Sequence, residues 1–478
     1  MNFISLKNYN FKKISTILLK IFCLFNVANL ILLVINSFGK TIIYEDSFML
    51  FNPFEDNFWT WFLKSHNGHL ITLSKSITVL FNNLSISPTG YNITISILII
   101  FLGINTLKKI FDIISINNDE FKDIYFLICV YLWTSSAQWE NLIWEFQIPW
   151  FLIAYLVLNL THRYLILEEE KSSLIANVYF LLSPIVACLS SGQGIFYTNC
   201  LIPSLLFKGK IKYYSAFGIS ISYAIFIIDK IIYQTGNLSL NLNLIENIYY
   251  IFVMIFTIFK PSIPDFNQIA KVEWIIPILS STVLQLFLIK ENFLKILLII
   301  KNKINKLYIL TPILFSLQFI LITSLTRSRY GIHQGAVSRY LTCTNFLIIG
   351  LIILFFYLNQ LNDFDNISKK IKIKDKDIKI FSNLFILCLL LNTSFIFKTI
   401  FATQNLYLTR LDNFQIFITA CKDYNQFKEN DISIKKYYDK FNPKIGANIP
   451  PLPDSKNFLN FKNYLDSPYC KTLKNIAN

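Results

Sequence analysis

The stretch "ISTILLKIFCLFNVANLILLVINSF", Ile14–Phe38, decides the fold. As a helix, an apolar run of this length covers the hydrocarbon thickness of a bilayer. Lys12 and Lys13 precede it in the manner of a signal peptide. No small-residue cleavage site follows, however, and many comparable runs come after it, so it reads as a retained anchor. The chain has 478 residues, of which 54% are hydrophobic and 15% charged. With a mean hydropathy of +0.48 it is too apolar for a soluble protein built around one core. Lipid offers backbone groups no hydrogen-bond partners, and helices satisfy them internally. The expectation is an all-α integral membrane protein.

The net charge is +15, and a basic balance can point to nucleic acid or to an anionic surface. Topology accounts for most of it here. Lys108 with Lys109, Arg163 with Lys171, Lys208 to Lys212, Lys290 to Lys306 and Lys369 to Lys379 fall in alternate loops, which the positive-inside rule assigns to the cytoplasm. No nucleic-acid partner is expected. From a cytoplasmic N-terminus the expected spans are Ile14–Phe38, Gly90–Leu107, Ile124–Ala137, Pro149–Leu167, Ser173–Ser190, Ile195–Phe207, Tyr213–Tyr233, Glu273–Ile289, Leu307–Leu325, Leu341–Leu358 and Phe381–Ala402. That makes about eleven transmembrane helices. Asn247–Phe259 is short and precedes "KPSIPDF", so it reads as an outer-face or re-entrant segment. Residues 1–402 thus form a polytopic domain with a first outer loop at 39–89, and 403–478 a small extracytoplasmic tail. Cys421 and Cys470 in that tail could pair if it meets an oxidising compartment. The other cysteines lie in or beside spans, where they read as small apolar residues.

This topology delivers "TIIYEDSFMLFNPFEDNFW", Thr41–Trp59, to the outer face, where it is followed by an interfacial helix rich in Phe and Trp. Glu45, Asp46, Glu55, Asp56, His66 and His69 come from this loop, and Glu140, Glu145 and Gln147 from another. Arg327, Arg329 and Arg339, with Tyr340, come from a late one. Carboxylates can take a proton from a hydroxyl, and guanidinium forks can hold a phosphate as it leaves. Each group also has a plain reading: acids solvated in a loop, arginines anchored to headgroups, and Trp139, Trp144 and Trp150 as an aromatic belt. His66 and His69 share a spacing suited to one helix face but lack a third ligand nearby, so no metal site is assigned. Asp229 and Lys230 are consecutive on a helix and do not face one another, so they are not automatically a pair. Asn83, Asn92, Asn159 and Asn237 stand in glycosylation sequons.

"YED" at Tyr44–Asp46, the long first outer loop and about eleven spans together resemble the GT-C class of membrane glycosyltransferases. "HNGHLITLSK", "QWENLIWEFQ", "SSGQG", "AVSRYL" and a tail beginning near "ACKDY" resemble a set of bacterial polytopic proteins of the same build. Gly68 stands where that pattern would place an acid between the two histidines. In size and topology the chain is similar to bacterial O-antigen glucosyltransferases of the cytoplasmic membrane. The resemblance implies a polyprenyl-phosphate sugar donor and a glycan or lipid-linked acceptor at the outer face. It further implies Asp46, or Glu45, as general base, and Arg339 with Arg329 or Arg327 as the phosphate-binding group. Tyr340, His66, His69, Glu140 and Gln147 would contact substrate. A divalent cation assists in some members of the class and not in others. Two other expectations remain: a flippase or transporter of lipid-linked sugars, and an O-antigen polymerase or ligase.

Overall fold

The computed structural model describes residues 3–37, 62–63, 70–83, 88–114, 119–138, 141–142, 147–167, 173–207, 209–233, 240–256, 259, 275–302, 308–330, 338–360, 375–394, 396–397 and 400–401. Every regular element among them is helical. The tail from residue 403, with Cys421 and Cys470, lies outside this set. In chain order the helices are α1 (Phe3–Ser37), α2 (Thr72–Asn83), α3 (Pro88–Ile114), α4 (Asp119–Trp133), α5 (Ile148–Leu167) and α6 (Leu174–Ser190). They continue with α7 (Gly194–Cys200), α8 (Lys210–Tyr233), α9 (Leu244–Ile255), α10 (Ile275–Asn302), α11 (Thr311–Arg327), α12 (Ser338–Gln360) and α13 (Asp375–Leu391). Short 3-10 turns occupy Ser136–Gln138, Ile202–Leu206 and Ser328–Tyr330.

Side-chain contacts give the directions of the helices. Asn26 Nδ2 donates to Tyr131 O at 3.5 Å and Asn29 Nδ2 to Ser136 Oγ at 3.0 Å, so α1 and α4 run parallel. Trp133 Nε1 donates to Ile100 O while Phe111 packs on Phe126, so α3 runs against α4. We call upper the end that α1 reaches at Ser37. Asn345 beside Leu132, with Phe356 beside Tyr125, then sends α12 downward. Phe319 on Tyr340 and Tyr308 by Tyr357 send α11 upward. Asn392 Nδ2 donates to Ser280 Oγ and Phe287 stacks on Phe381, so α10 and α13 are antiparallel. Exposed lysines gather toward the lower end, at Lys13, Lys108, Lys109, Lys210, Lys212 and Lys290.

Among the described residues, five segments are long and apolar enough to cross a membrane: Lys13–Asn36, Ile148–Leu167, Lys210–Ile231, Tyr308–Arg327 and Tyr340–Tyr357. The chain is therefore a helical membrane protein. The last of these segments is wholly buried inside the bundle. Around it α12 meets α3, α4, α5, α9, α10 and α11, together with the Ser136–Gln138 turn. A helix apolar on all sides must be covered on all sides, by lipid or by protein. For α12 the cover is protein, whereas α8 exposes Tyr213, Phe217, Ile227, Ile228 and Ile231 on its outward side.

The short α9 begins beside Ser328 at the upper end, and the Ile255 carbonyl at its last turn accepts from Gln285 Nε2. Gln285 lies ten residues into the descending α10, about 15 Å along its axis. Since α10 itself starts at the upper end, α9 dips partway into the bundle, as its length suggests.

One expectation needs correction. Trp150 is not part of a lipid-facing belt: it is 9% exposed and packs edge-on against Phe319 inside the bundle. Hydropathy alone cannot separate the two, because a protein interior and a lipid tail are equally apolar. Asp229 and Lys230, whose consecutive positions left pairing open, do pair, with Nζ 3.4 Å from Oδ2. Asn159 sits within α5, inside the expected span, donating to Tyr155 Oη and accepting from Arg163 Nε.

The close approach of α8 to α6 depends on Gly218. A Cβ there would stand 2.6 Å from the Leu181 carbonyl oxygen and 2.9 Å from that of Phe180, both backbone atoms that cannot swing away. Small residues are what let membrane helices touch. Gly218→Val should therefore separate the pair and lower stability by about 1–3 kcal/mol, the usual cost of overpacking. Thermal unfolding of the purified protein in detergent measures it, and an unchanged melting temperature would contradict the packing described.

Candidate functional site: a polar layer at the upper end

The site begins with an inverted amphipathic helix. In α2, "TLSKSITVLFNN", the residues turned inward are Thr72, Ser74, Lys75 and Thr78, while Leu80 is exposed. Residues three and four apart share a helix face, which groups these polar side chains into one stripe. That stripe lies against α3, α5 and α6. Lys75 is only 3% exposed, and a buried ammonium is rare in any protein. Thr78 Oγ1 satisfies itself on Ser74 O at 2.9 Å, whereas Ser74 Oγ is buried without a hydrogen-bond partner. The connection to α3, which starts at the upper end, places α2 over that end.

The first turn of α5 supplies the next part. Gln147 is 4% exposed, and its Oε1 has no hydrogen-bond partner. One turn on, Trp150 packs with Tyr340 at 5.9 Å and with Phe319 at 5.5 Å, and Phe319 meets Tyr340 edge-on at 5.8 Å. This aromatic triad ties the first turns of α5 and α12 to the middle of α11. Phe196 of α7 joins it through Phe319 at 6.5 Å. Gln193 precedes α7 in the tight "SSGQG" turn, again buried with Oε1 lacking a partner. The turn is close because Gly194 approaches the Ala187 carbonyl, where a Cβ would stand 2.1 Å from the oxygen.

Beneath this layer a network of side chains closes the end of α4. Thr342 Oγ1 accepts from Asn141 Nδ2 at 2.6 Å and donates to Gln138 Oε1 at 2.5 Å. Gln138 Nε2 donates at 3.1 Å to Leu132 O and Trp133 O, capping the end of α4. Open amide oxygens also occur elsewhere in the bundle, at Asn345 and Asn392 among others; those of Gln147 and Gln193 stand out by lying next to the buried stripe of α2 and the aromatic triad at the upper end.

Of the residues singled out in the sequence, Glu45, Asp46, His66, His69 and Glu140 lie outside the described residues, as do Glu55, Asp56 and Glu145. Arg327 closes α11, Arg329 is exposed in the 3-10 turn after it, and Arg339 stands in the first turn of α12 beside Tyr340. Tyr340 packs on Trp150, which follows Gln147 by three residues. Lys75, Gln193 and Ser74 escaped the sequence reading. Their signal was present as the stripe Thr72, Lys75 and Thr78, but periodicity does not say which stripe faces inward.

Unpartnered buried acceptors are open to donors such as hydroxyls, from water or from a ligand. The two amide oxygens make no internal hydrogen bond. Gln147→Met and Gln193→Met, which keep the volume, should leave the melting temperature unchanged or raise stability by up to about 1–3 kcal/mol. A clear loss in detergent unfolding experiments would show that the amides serve the fold. No protein-family model, no curated protein and no solved structure matches this chain.

Proposed function

We propose that the protein transfers a sugar from a polyprenyl-phosphate-linked donor to a cell-surface glycan or lipid-linked acceptor, inverting the anomeric configuration. The upper end is then the extracytoplasmic side of a bacterial cytoplasmic membrane, and the lysine-rich lower end is cytoplasmic. The alternating long helices, α7 with its following 3-10 turn included, are all spans in this reading, about eleven in number.

The observation that carries the reading is the polar layer at the upper end. There buried amide oxygens without partners, Gln147 and Gln193, suit sugar hydroxyls, and the Trp150–Tyr340–Phe319 cluster gives a rigid apolar wall beside them. Lys75 and the Arg327–Arg329 turn supply positive charge at the same end. Asp46, with Glu45 as the alternative, takes the proton of the acceptor hydroxyl. The oxygen so released bonds to the anomeric carbon opposite the lipid phosphate. The bond from that carbon to the phosphate oxygen breaks, and its electron pair leaves with the phosphate, which Arg339 with Arg329 or Arg327 neutralises. Any divalent cation would fall to the carboxylates Glu45 and Asp46.

A second reading, a transporter of lipid-linked sugars, draws on Asp229. This carboxylate is 4% exposed within α8, and its Oδ1 has no hydrogen-bond partner. Ionisable groups inside membrane helices often belong to ion pathways. The test compares surface glycan in cells with the intact protein, with Asp46→Asn and with none. Loss of one sugar substituent in the last two, with the variant stably inserted, is expected. Full modification by Asp46→Asn would refute the general base. Lipid-linked precursor trapped on the cytoplasmic face of deletion cells would favour transport. Lys75→Met should also cut modification about tenfold or more, the weight of one charged hydrogen bond.

A further inference from the structure

The arginine turn is held from behind by a segment distant in sequence. Ser328, 2% exposed, lies between Arg327 and Arg329 and caps α11 through its N–H to Ser324 O. Its Oγ donates to Asn247 Oδ1 at 2.6 Å and accepts from Asn241 Nδ2 at 2.8 Å. Asn247 Nδ2 donates to Asn241 O at 2.8 Å, and Asn241 N–H donates to Leu325 O at 2.7 Å. Asn241 Nδ2 also donates to Glu246 Oε2 at 2.7 Å. Asn243 caps the start of α9 alongside, accepting from the N–H groups of Ile245 and Glu246. Both termini, α11's last turn and α9's first, are thus fixed to one another by side chains with matched donors and acceptors.

The geometry has a consequence for the two cations. Successive side chains on α or 3-10 backbone diverge by roughly 100–120°. With Ser328 pinned inward, Arg327 and Arg329 flank it on either side, Arg327 half-buried and Arg329 exposed. A one-residue rotation of this turn would bury one guanidinium and carry the other away. A plain helix end needs no such arrangement, since a single arginine satisfies the carbonyls of a last turn.

We infer that Asn241, Asn247 and Ser328 are positioning residues that aim Arg327 and Arg329 at the phosphate of a lipid-linked ligand. This rests on the functional reading above. Bidentate recognition of phosphate requires guanidinium planes at set angles, so loosening the turn weakens binding even with both charges present.

The probe is geranyl phosphate, titrated calorimetrically into the full-length protein in zwitterionic nanodiscs, with geraniol and inorganic phosphate as controls and phosphatidylglycerol nanodiscs as competitor. Wild type should bind geranyl phosphate, and Arg327→Gln and Arg329→Gln should each weaken it about tenfold or more. Ser328→Ala and Asn247→Ala, which keep both arginines, should weaken it about three- to tenfold, and Ser328→Thr should restore it. Phosphatidylglycerol abolishing the titration would identify bulk headgroups as the ligand and overturn the lipid-linked assignment. Unchanged affinity in Ser328→Ala and Asn247→Ala, with only the melting temperature lowered, would overturn the positioning role while leaving the arginines' role intact. Absence of wild-type binding would remove both.

Discussion

A hydrocarbon interior gives polar groups nothing to bond to, and the enclosed helix α12 is where this protein meets that constraint most severely. Its Thr342 and Asn345 are buried near the upper end and are met by Gln138, Asn141 and the Leu132 carbonyl. In turn Gln138 satisfies the carbonyls that α4 would otherwise leave open at its end. Asn26 and Asn29 of α1 close on Ser136 of the same turn. One short polar seam thereby sets the relative heights of α1, α4 and α12, and the helices that surround α12 take their register from it.

The two ends of the bundle are stabilised differently. Toward the lower end, Tyr125 stacks on Phe355 and Phe381 and meets Phe356 edge-on, while Phe111 and Phe126 extend the cluster. Aromatic pairs of this kind add about 0.5–1.5 kcal/mol each beyond burial. Toward the upper end the interior turns polar, with Lys75 and the open amides of Gln147 and Gln193. The aromatic packing is thus densest at the lower end, and the charged and amide side chains of the candidate site gather at the upper one.

Five of the expected spans were legible as helices long and apolar enough to cross a membrane. Pro149–Leu167 became Ile148–Leu167, and Tyr213–Tyr233 became Lys210–Tyr233, because apolar run length is a direct consequence of bilayer thickness. The half-depth α9 was legible from its brevity and the prolines that follow. The inward face of α2 was not. A rule that sends charged residues outward puts Lys75 on the surface, and only the helices lying beneath α2 reverse that. The aromatic triad was half legible: Trp150 and Tyr340 stood out as residues, but their partner Phe319 is one among many phenylalanines. The carboxylates that drew attention first, Glu45 and Asp46, belong to residues outside those described.

The half-depth helix also bears on the order in which the protein is made. Its anchor points, Asn241 and Asn247, find their partner in Ser328, more than eighty positions later in the chain. A ribosome delivers the earlier segment first, so α9 reaches the membrane with its local cap at Asn243 but with Asn241 and Asn247 not yet bonded to Ser328. It can settle only after α10 and α11 have been threaded beside it. Completion of the arginine turn is thus a late event of biogenesis, and the upper end of the bundle is assembled only once most of the chain is in place.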